Sequence, residues 1–362
     1  MIAVLTSGVA LGVHVPGLLL ASRLRERGVP AAVEVLERLL PPDRLAAVTA
    51  SREVFHRDFR VARAGQRIAS DPVAAIDAEA REELFRRWEA SGVRTMVVFS
   101  GFWLDLVRHF TERTGRPLRV ILCHVDSVAS PSFRKAGAPL PGTEEVWLAS
   151  RADTALPWTI PVTAEPPLDW GRREPRLLVH GGGWGMGTYR DRAAELASAG
   201  HDIDLVVHAA EEADPLRGRT RHFALNPTWH PWLDDGYPPL GRLLPGRSTS
   251  DITYTRGSAH HSSFDLSRTA HAMVSKPGGG TLLDSLWAAT PLVLLEPSGE
   301  HESHNAQLWC DLGFGVRYED WRADGFSLRP LEKMHRALLS AARGPRDLAA
   351  ALSGSEVSLC SE

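Results

Sequence analysis

Short apolar runs alternate with helix-period segments twice along this 362-residue chain, and a proline-rich break separates the two series. No other feature narrows the fold as far. Strands alternating with helices of about 10–15 residues point to parallel βαβ units. In the first series Ile2–Leu5 reads as a buried strand, a loop over Ser7–His14 leads to a helix over Leu18–Arg27 closed by Gly28, and Val29–Val35 reads as the next strand. Thr95–Phe99, Leu118–Cys123 and Glu145–Ala149 read as further strands, with a helix over Leu104–Thr114 stopped by Gly115. Residues 161–176 carry four prolines and mixed charge, the mark of a linker. The theme then restarts with a strand Arg176–His180, a glycine loop Gly181–Gly187 and a helix Tyr189–Ala199, and Leu205–His208, Ala272–Ser275 and Leu292–Leu295 read as later strands. The expectation is two doubly wound α/β domains facing a cleft, over 1–160 and 177–340, joined by the linker 161–176 and followed by a C-terminal helix and frayed tail over 341–362. The stretch 225–262, rich in Pro, Gly, Trp and His, shows no period.

Composition removes several function classes. Lys plus Arg is 41 against 44 Asp plus Glu, a net charge of −3, which offers nucleic acid no basic footprint. Cys123, Cys310 and Cys360 are too far apart for a disulfide framework or a metal knuckle, so a reduced, cytoplasmic protein is expected. The opening MIAVLTSG lacks a basic flank and reads as a strand, not a signal peptide. No run of 18 apolar residues predicts a membrane span.

The strongest chemical signal is AMVSKPGGGTLLDSLWAAT over 272–290. An apolar strand ends at Ser275, and Lys276-Pro277-Gly278-Gly279-Gly280 turns the chain into a helix starting near Thr281. Glycines let main-chain N–H groups approach an anion, and a helix N-terminus adds about half a positive charge. Lys276, one of three lysines in the chain with Lys135 and Lys333, adds a full one. Asp284, one turn into the helix, is placed to accept from a vicinal diol such as ribose. The bland alternative is a tight strand-to-helix turn that binds nothing. The next strand runs into EPSGEHESHNA, whose His301, Glu302 and Asn305 are expected to face the same cleft.

This block resembles the donor-binding half of GT-B glycosyltransferases, especially the MurG-type and UDP-glycosyltransferase families. The loop Gly181-Gly182-Gly183-Trp184-Gly185, the turn Phe99-Ser100-Gly101-Phe102-Trp103, the strand end Cys123-His124-Val125-Asp126-Ser127 and the opening loop Ser7–Pro16 resemble family motifs in the same order. The resemblance implies inverting, metal-independent transfer of a sugar from a nucleotide-diphosphate donor, a UDP-sugar, to a small-molecule or carrier-linked acceptor, with no cofactor beyond that co-substrate. Natural-product biosynthesis is the expected setting, because Asp284 stands where the family has Glu and His301-Glu302 where it has an acid–Gln pair. Donor contacts are then expected from Gly182, Gly183, Lys276, Gly278, Gly279, Gly280, Thr281, Asp284, His301, Glu302 and Asn305. His14 is the candidate base, oriented by Asp126, with His124 as the competing base; Phe102, Trp103 and His124 are candidate acceptor contacts, the two aromatics by stacking. A non-catalytic nucleotide-sugar-binding partner protein and a nucleotide-sugar epimerase are the alternatives.

Other patterns lose on spacing. Asp202-Ile203-Asp204 forms a DxD, but it precedes a strand and reads as a solvated turn. The 181–187 loop does not meet GxGxxG, and neither GxSxG nor HExxH occurs. Arg52, Arg57, Arg60, Arg63 and Arg67 interleave with Phe55, Phe59 and Val61 as a solvated helix face or, less simply, one leaning on a membrane.

Overall fold

The computed structural model describes residues 1–9, 11–68, 72–138, 140–151, 155–213, 219–244 and 246–354. Of the ten-residue tail read as frayed, Ser353 ends the last helix, and all beyond Gly354 lies outside the described residues.

The first sheet holds β1 (Ile2–Thr6), β2 (Ala31–Val35), β3 (Thr95–Val98), β4 (Arg119–His124) and β5 (Glu144–Trp147), all parallel in the order β2-β1-β3-β4-β5. Side chains alternate faces along a strand, and β1 uses both. Ile2 and Val4 join Leu19, Leu20 and Leu24 of α1 (Leu11–Glu26), while Ala3 and Leu5 pack with the helices of the other face. Those helices are α4 (Ala78–Ala90) and α5 (Leu104–Thr114), which supply Leu84, Phe85, Trp88 and Phe110 to that core, and the short α6 (Pro131–Lys135), whose Phe133 packs against it; α2 (Pro42–Arg57) and α3 (Phe59–Ile68) precede them in the chain. Asp77 caps α4 by accepting from Glu79 N and Ala80 N, and Gly115 ends α5 at φ 58°.

After β6 (Trp158–Thr159), the second sheet is built from β7 (Glu174–His180), β8 (Asp202–Val207), β9 (Thr220–Leu225), β10 (Leu240–Leu243), β11 (Ala270–Ser275), β12 (Leu292–Leu294) and β13 (Gly315–Arg317). Its order is β10-β9-β8-β7-β11-β12-β13, parallel except for the β9–β10 pair. Around it lie α7 (Tyr189–Ser198), α8 (Ser263–Thr269), α9 (Gly279–Ala288), α10 (Glu300–Asp311), α11 (Tyr318–Ala323) and α12 (Leu328–Ala341). The chain then returns to the first domain. β14 (Arg346–Asp347) pairs with β6, and Leu348, Ala349 and Leu352 of α13 (Leu348–Ser353) share a core with Leu19 and Leu20.

Strand order reverses at β1, between β2 and β3, and at β7, between β8 and β11. Crevices at such switch points are where open α/β sheets bind ligands. Four loops therefore matter: those after β1 and β3 in one domain, and those after β7 and β11 in the other.

Several sequence expectations need correction. The loop expected over Ser7–His14 has given way to helix by Leu11, where α1 begins, and that helix contains Pro16. Proline lacks an N–H, so it costs the Gly12 carbonyl its helical partner without stopping the helix. Asp202 and Asp204 belong to β8, not to a solvated turn. Asp204 is buried and accepts from Arg176 Nε at 2.8 Å and Arg221 Nη2 at 2.5 Å. The linker is pinned rather than loose. Arg23 donates to Pro161 O and Val162 O, and Arg173 donates to Ala288 O at the end of α9, where a cation meets the negative end of the helix dipole. The aperiodic stretch 225–262 yields β10 and a long excursion back toward the first domain. In the arginine-rich region Asp58 breaks the helix in two, its carboxylate accepting from Arg60 N and Val61 N at the start of α3.

Candidate functional site

The turn after β11 is built by backbone. Gly278 N donates to Lys276 O at 2.9 Å, Gly278 caps the helix with no side-chain bond, and α9 starts at Gly279, two residues before the sequence-derived start. No acidic residue lies in the first turn of α9 or of α1, so neither helix neutralises its own N-terminus. The two N-termini meet across the cleft. A β-carbon on Gly280 would lie 3.2 Å from Gly12 Cα, and one on Gly279 would lie 2.7 Å from Val125 O. Glycine is required here by the approach of the two domains.

Asp126, at the end of β4, projects into this junction. Its Oδ1 accepts from Asn305 Nδ2 at 2.7 Å, and the Gly279 N–H also bonds the carboxylate. Burial pushes the Asp126 carboxyl up, against the pull of His301, Asn305 and Gly279. Asn305 is fully buried and fully used: Nδ2 also donates to Pro277 O at 2.9 Å, and Oδ1 accepts from Ser127 N at 2.8 Å. It joins three segments of two domains, so its amide is an inter-domain latch and not a free donor contact. His301 is half-buried beside Asp126, and its Nδ1 has no partner among the described residues.

Lys276 is not a spare charge. Its Nζ donates to Glu302 Oε1 at 2.7 Å, Glu302 Oε2 accepts from Ser298 N, and both side chains are buried. Burial alone would raise the Glu302 carboxyl, but Lys276 beside it leaves it below its ordinary value. Asp284 is likewise engaged, its Oδ1 lying 3.0 Å from His261 Nε2. Burial disfavours the imidazolium of His261, yet Asp284 leaves its pKa raised.

The glycine loop after β7 lies under the first domain. Gly182 and Gly185 take positive φ values of 74° and 60°, and a β-carbon on Gly183 would fall 2.3 Å from Leu11 Cδ1. Gly185 O contacts His56 Nδ1 of α2 at 2.7 Å, and His56 Nε2 contacts Glu212. His56 therefore ties α2 to the loops after β7 and β8.

In the first domain the loop after β1 spends its donors on Glu37. Ser7 Oγ and Gly8 N each donate to that carboxylate at 2.6 Å, and Val9 N at 3.2 Å. His14, in α1, is fully buried. Its Nδ1 lies 3.1 Å from Thr6 Oγ1, and its Nε2 has no partner among the described residues. Burial, then Arg38, lowers its pKa to about 3, so the ring is neutral at pH 7. Asp126, expected to orient this ring, bonds Asn305 instead, and Thr6 is the residue beside the His14 ring nitrogen. His14 borders a groove of about 620 Å³ along the edge strand β2, with Leu18, Arg38, Glu34 and Asp235 also on its walls.

Trp103 is not an acceptor platform. It is 0% exposed, within the α4–α5 core, and its Nε1 donates to Thr6 O at 2.8 Å. Phe102 packs against the same core. His124 is stacked on Trp147 at 3.9 Å and beside Phe133, and burial lowers its pKa to about 4. Thr6, Glu37, His56 and His261 escaped sequence reasoning. Each acts through a partner distant in the chain, and only His261 carried a signal, as part of the paired His260-His261.

No protein-family model and no curated protein matches the chain. Solved structures do. The glycosyltransferase SsfS6 of Streptomyces sp. SF2575, complexed with thymidine diphosphate, is 13% identical with a TM-score of 0.51, over 94% of this chain and 96% of its own. Spinosyn rhamnosyltransferase SpnG, complexed with thymidine diphosphate, is 15% identical with a TM-score of 0.56, over 97% and 99%, and has also been solved with spinosyn aglycone. MurG of Acinetobacter baumannii is 13% identical with a TM-score of 0.53, over 97% of both chains. These likenesses cover 94–97% of the chain, both sheets included, and they identify its fold as GT-B.

Proposed function

We propose that the chain is a glycosyltransferase that moves a sugar from a pyrimidine nucleoside diphosphate to a small-molecule acceptor, with inversion and without a metal ion. One observation carries this reading. Two helix N-termini, one from each domain and neither with an acid in its first turn, converge at Gly12 and Gly280, and His14 stands one turn inside α1 with Nε2 unpartnered among the described residues. The sequence favours a UDP-sugar, and the thymidine diphosphate in SsfS6 and SpnG brings TDP-sugars into the same class. The spinosyn aglycone bound by SpnG supports a small-molecule acceptor.

The chemistry follows from charge. As the acceptor oxygen attacks the anomeric carbon, the bond to the diphosphate breaks and its electron pair leaves with the phosphate. The first-turn N–H groups of α9, which have no helical carbonyl to bond, stabilise that growing charge. The acceptor proton passes to His14 Nε2. A neutral imidazole keeps its lone pair for this, and the anionic donor beside it raises its proton affinity during turnover. For entry, the domains part at Gly279 and Val125, and the diphosphate replaces the Asp126 carboxylate at the Gly279 N–H.

Thermal melts with UDP, TDP, GDP and NAD test the class, since a ligand at 100-fold its Kd stabilises by about 2.7 kcal/mol. UDP or TDP is expected to raise the melting temperature, and the matching sugar donors to be turned over with release of the nucleoside diphosphate. His14→Ala should abolish turnover and preserve donor binding. Failure of every nucleoside diphosphate to bind would remove the proposal.

A further inference from the structure

Thr6 closes β1 and is fully buried. Its hydroxyl lies 3.1 Å from the Glu34 carbonyl oxygen and 3.1 Å from His14 Nδ1. A carbonyl oxygen can only accept, and a threonine hydroxyl has one proton to give. That proton goes to Glu34 O. The contact with His14 is then a hydrogen bond only if Nδ1–H donates to Thr6 Oγ1. The single proton of a neutral imidazole is thereby placed on Nδ1, and the lone pair on Nε2.

We propose that Thr6 is a positioning residue that holds His14 in the tautomer with its proton on Nδ1 and its lone pair on Nε2, the nitrogen that takes the acceptor proton. This inference rests on the reading of His14 as the base. The surroundings leave Thr6 little freedom to do otherwise. A β-carbon on Gly17 would lie 2.3 Å from Thr6 Cγ2, so the threonine methyl fills the space that glycine leaves and the hydroxyl is turned toward Glu34 and His14. From behind, Trp103 Nε1 donates to the Thr6 carbonyl. Trp103, the acceptor platform expected from sequence, thus serves the site through the backbone of Thr6.

A hydroxyl differs from a carboxylate in this role. It orients the ring and sets the tautomer, but it brings no charge to stabilise the imidazolium. Arg38 nearby opposes the positive ring, and Asp235 favours it. In the proposed step the proton leaves the acceptor oxygen for Nε2, Nδ1–H stays on Thr6, and the new positive charge is balanced by the diphosphate departing with its electron pair.

The tautomer is measurable without turnover. In the full chain labelled with ¹⁵N-histidine, long-range ¹H–¹⁵N spectra at pH 7 should show a pyrrole-type Nδ1 and a pyridine-type Nε2 for His14, assigned by their loss in His14→Gln. Thr6→Ser keeps the hydroxyl and should keep that pattern, whereas Thr6→Val should move the proton onto Nε2. A wild-type His14 protonated on Nε2, or a Thr6→Val spectrum identical to wild type, overturns the proposal. With the donor found in the nucleotide-sugar panel, Thr6→Val should lower kcat by about 10²-fold or more at unchanged donor KM, and Thr6→Ser should recover it. A shifted tautomer with unchanged kcat would leave Thr6 setting the tautomer but refute His14 as the base, so the two readings fail separately.

Discussion

Asn305 gives the sharpest test of how the two domains are held. Replacing it by alanine leaves Ser127 N, Pro277 O and Asp126 Oδ1 without their bonds of 2.8, 2.9 and 2.7 Å. A buried polar group stripped of its partner costs about 1–3 kcal/mol, and three sharing one pocket are not additive, so the expected loss is about 3–5 kcal/mol. Asn305→Asp keeps the shape and adds a different penalty. It sets a second carboxylate where the amide lay 2.7 Å from Asp126, and two unit charges at that distance repel by about 6 kcal/mol at an effective dielectric constant of 20. The folded protein escapes by binding one proton between the pair. The unfolded chain holds no such proton at pH 7, so the folded state binds more protons and its stability rises as the pH falls. Relative to Asn305→Ala, the aspartate variant should therefore regain up to about 1.4 kcal/mol per pH unit between pH 7 and 5. Urea unfolding at both pH values, with limited proteolysis to report domain separation, measures this. If the two variants follow the same pH profile, Asp126 does not face residue 305 as described.

Two further outcomes follow from the buried histidines and from Trp103. Burial lowers His14 and His208 to about 3 and His124 and His180 to about 4, while the unfolded chain protonates its histidines near 6.5. Below pH 6.5 the unfolded state thus binds more protons and stability falls, by at most about 5 kcal/mol per pH unit for four protons. The buried carboxyls Glu37 and Asp126, both pushed up, offset part of this. The urea midpoint should drop between pH 6.5 and 5, and His124→Phe, which preserves the stack on Trp147, should flatten the slope by one proton; a midpoint independent of pH refutes the assignment. Trp103→Phe should cost about 1–3 kcal/mol by leaving Thr6 O unpaired while nucleotide affinity is unchanged, and calorimetric titration with UDP and TDP alongside urea melts would show the reverse if Trp103 faced a ligand.

What could be read from the sequence was local. The β11 strand, the glycine turn and α9 lie within twenty residues of one another, and periodicity followed by glycines marks all three. The same holds for α5, whose extent and Gly115 stop were both legible. The start of α1 was placed too late, at Leu18, because Pro16 lies within its first two turns. A proline removes one helical hydrogen bond, and a helix anchored to β1 and β2 by Leu19, Leu20 and Leu24 absorbs that loss. The roles of polar residues were the least legible, because a charge declares its type but not its partner. Lys276 looked free until Glu302 was beside it. Asp126 looked like a partner for His14, but Asn305, 179 residues away, claims it. The misreadings share a cause: burial makes polar atoms satisfy one another, and their partners come from wherever the topology brings the chain. Thr6 shows this best. No motif marks a threonine at the end of a buried strand, yet Glu34 O on one side and His14 Nδ1 on the other leave its single proton one place to go, and that choice determines which nitrogen of His14 can act as a base.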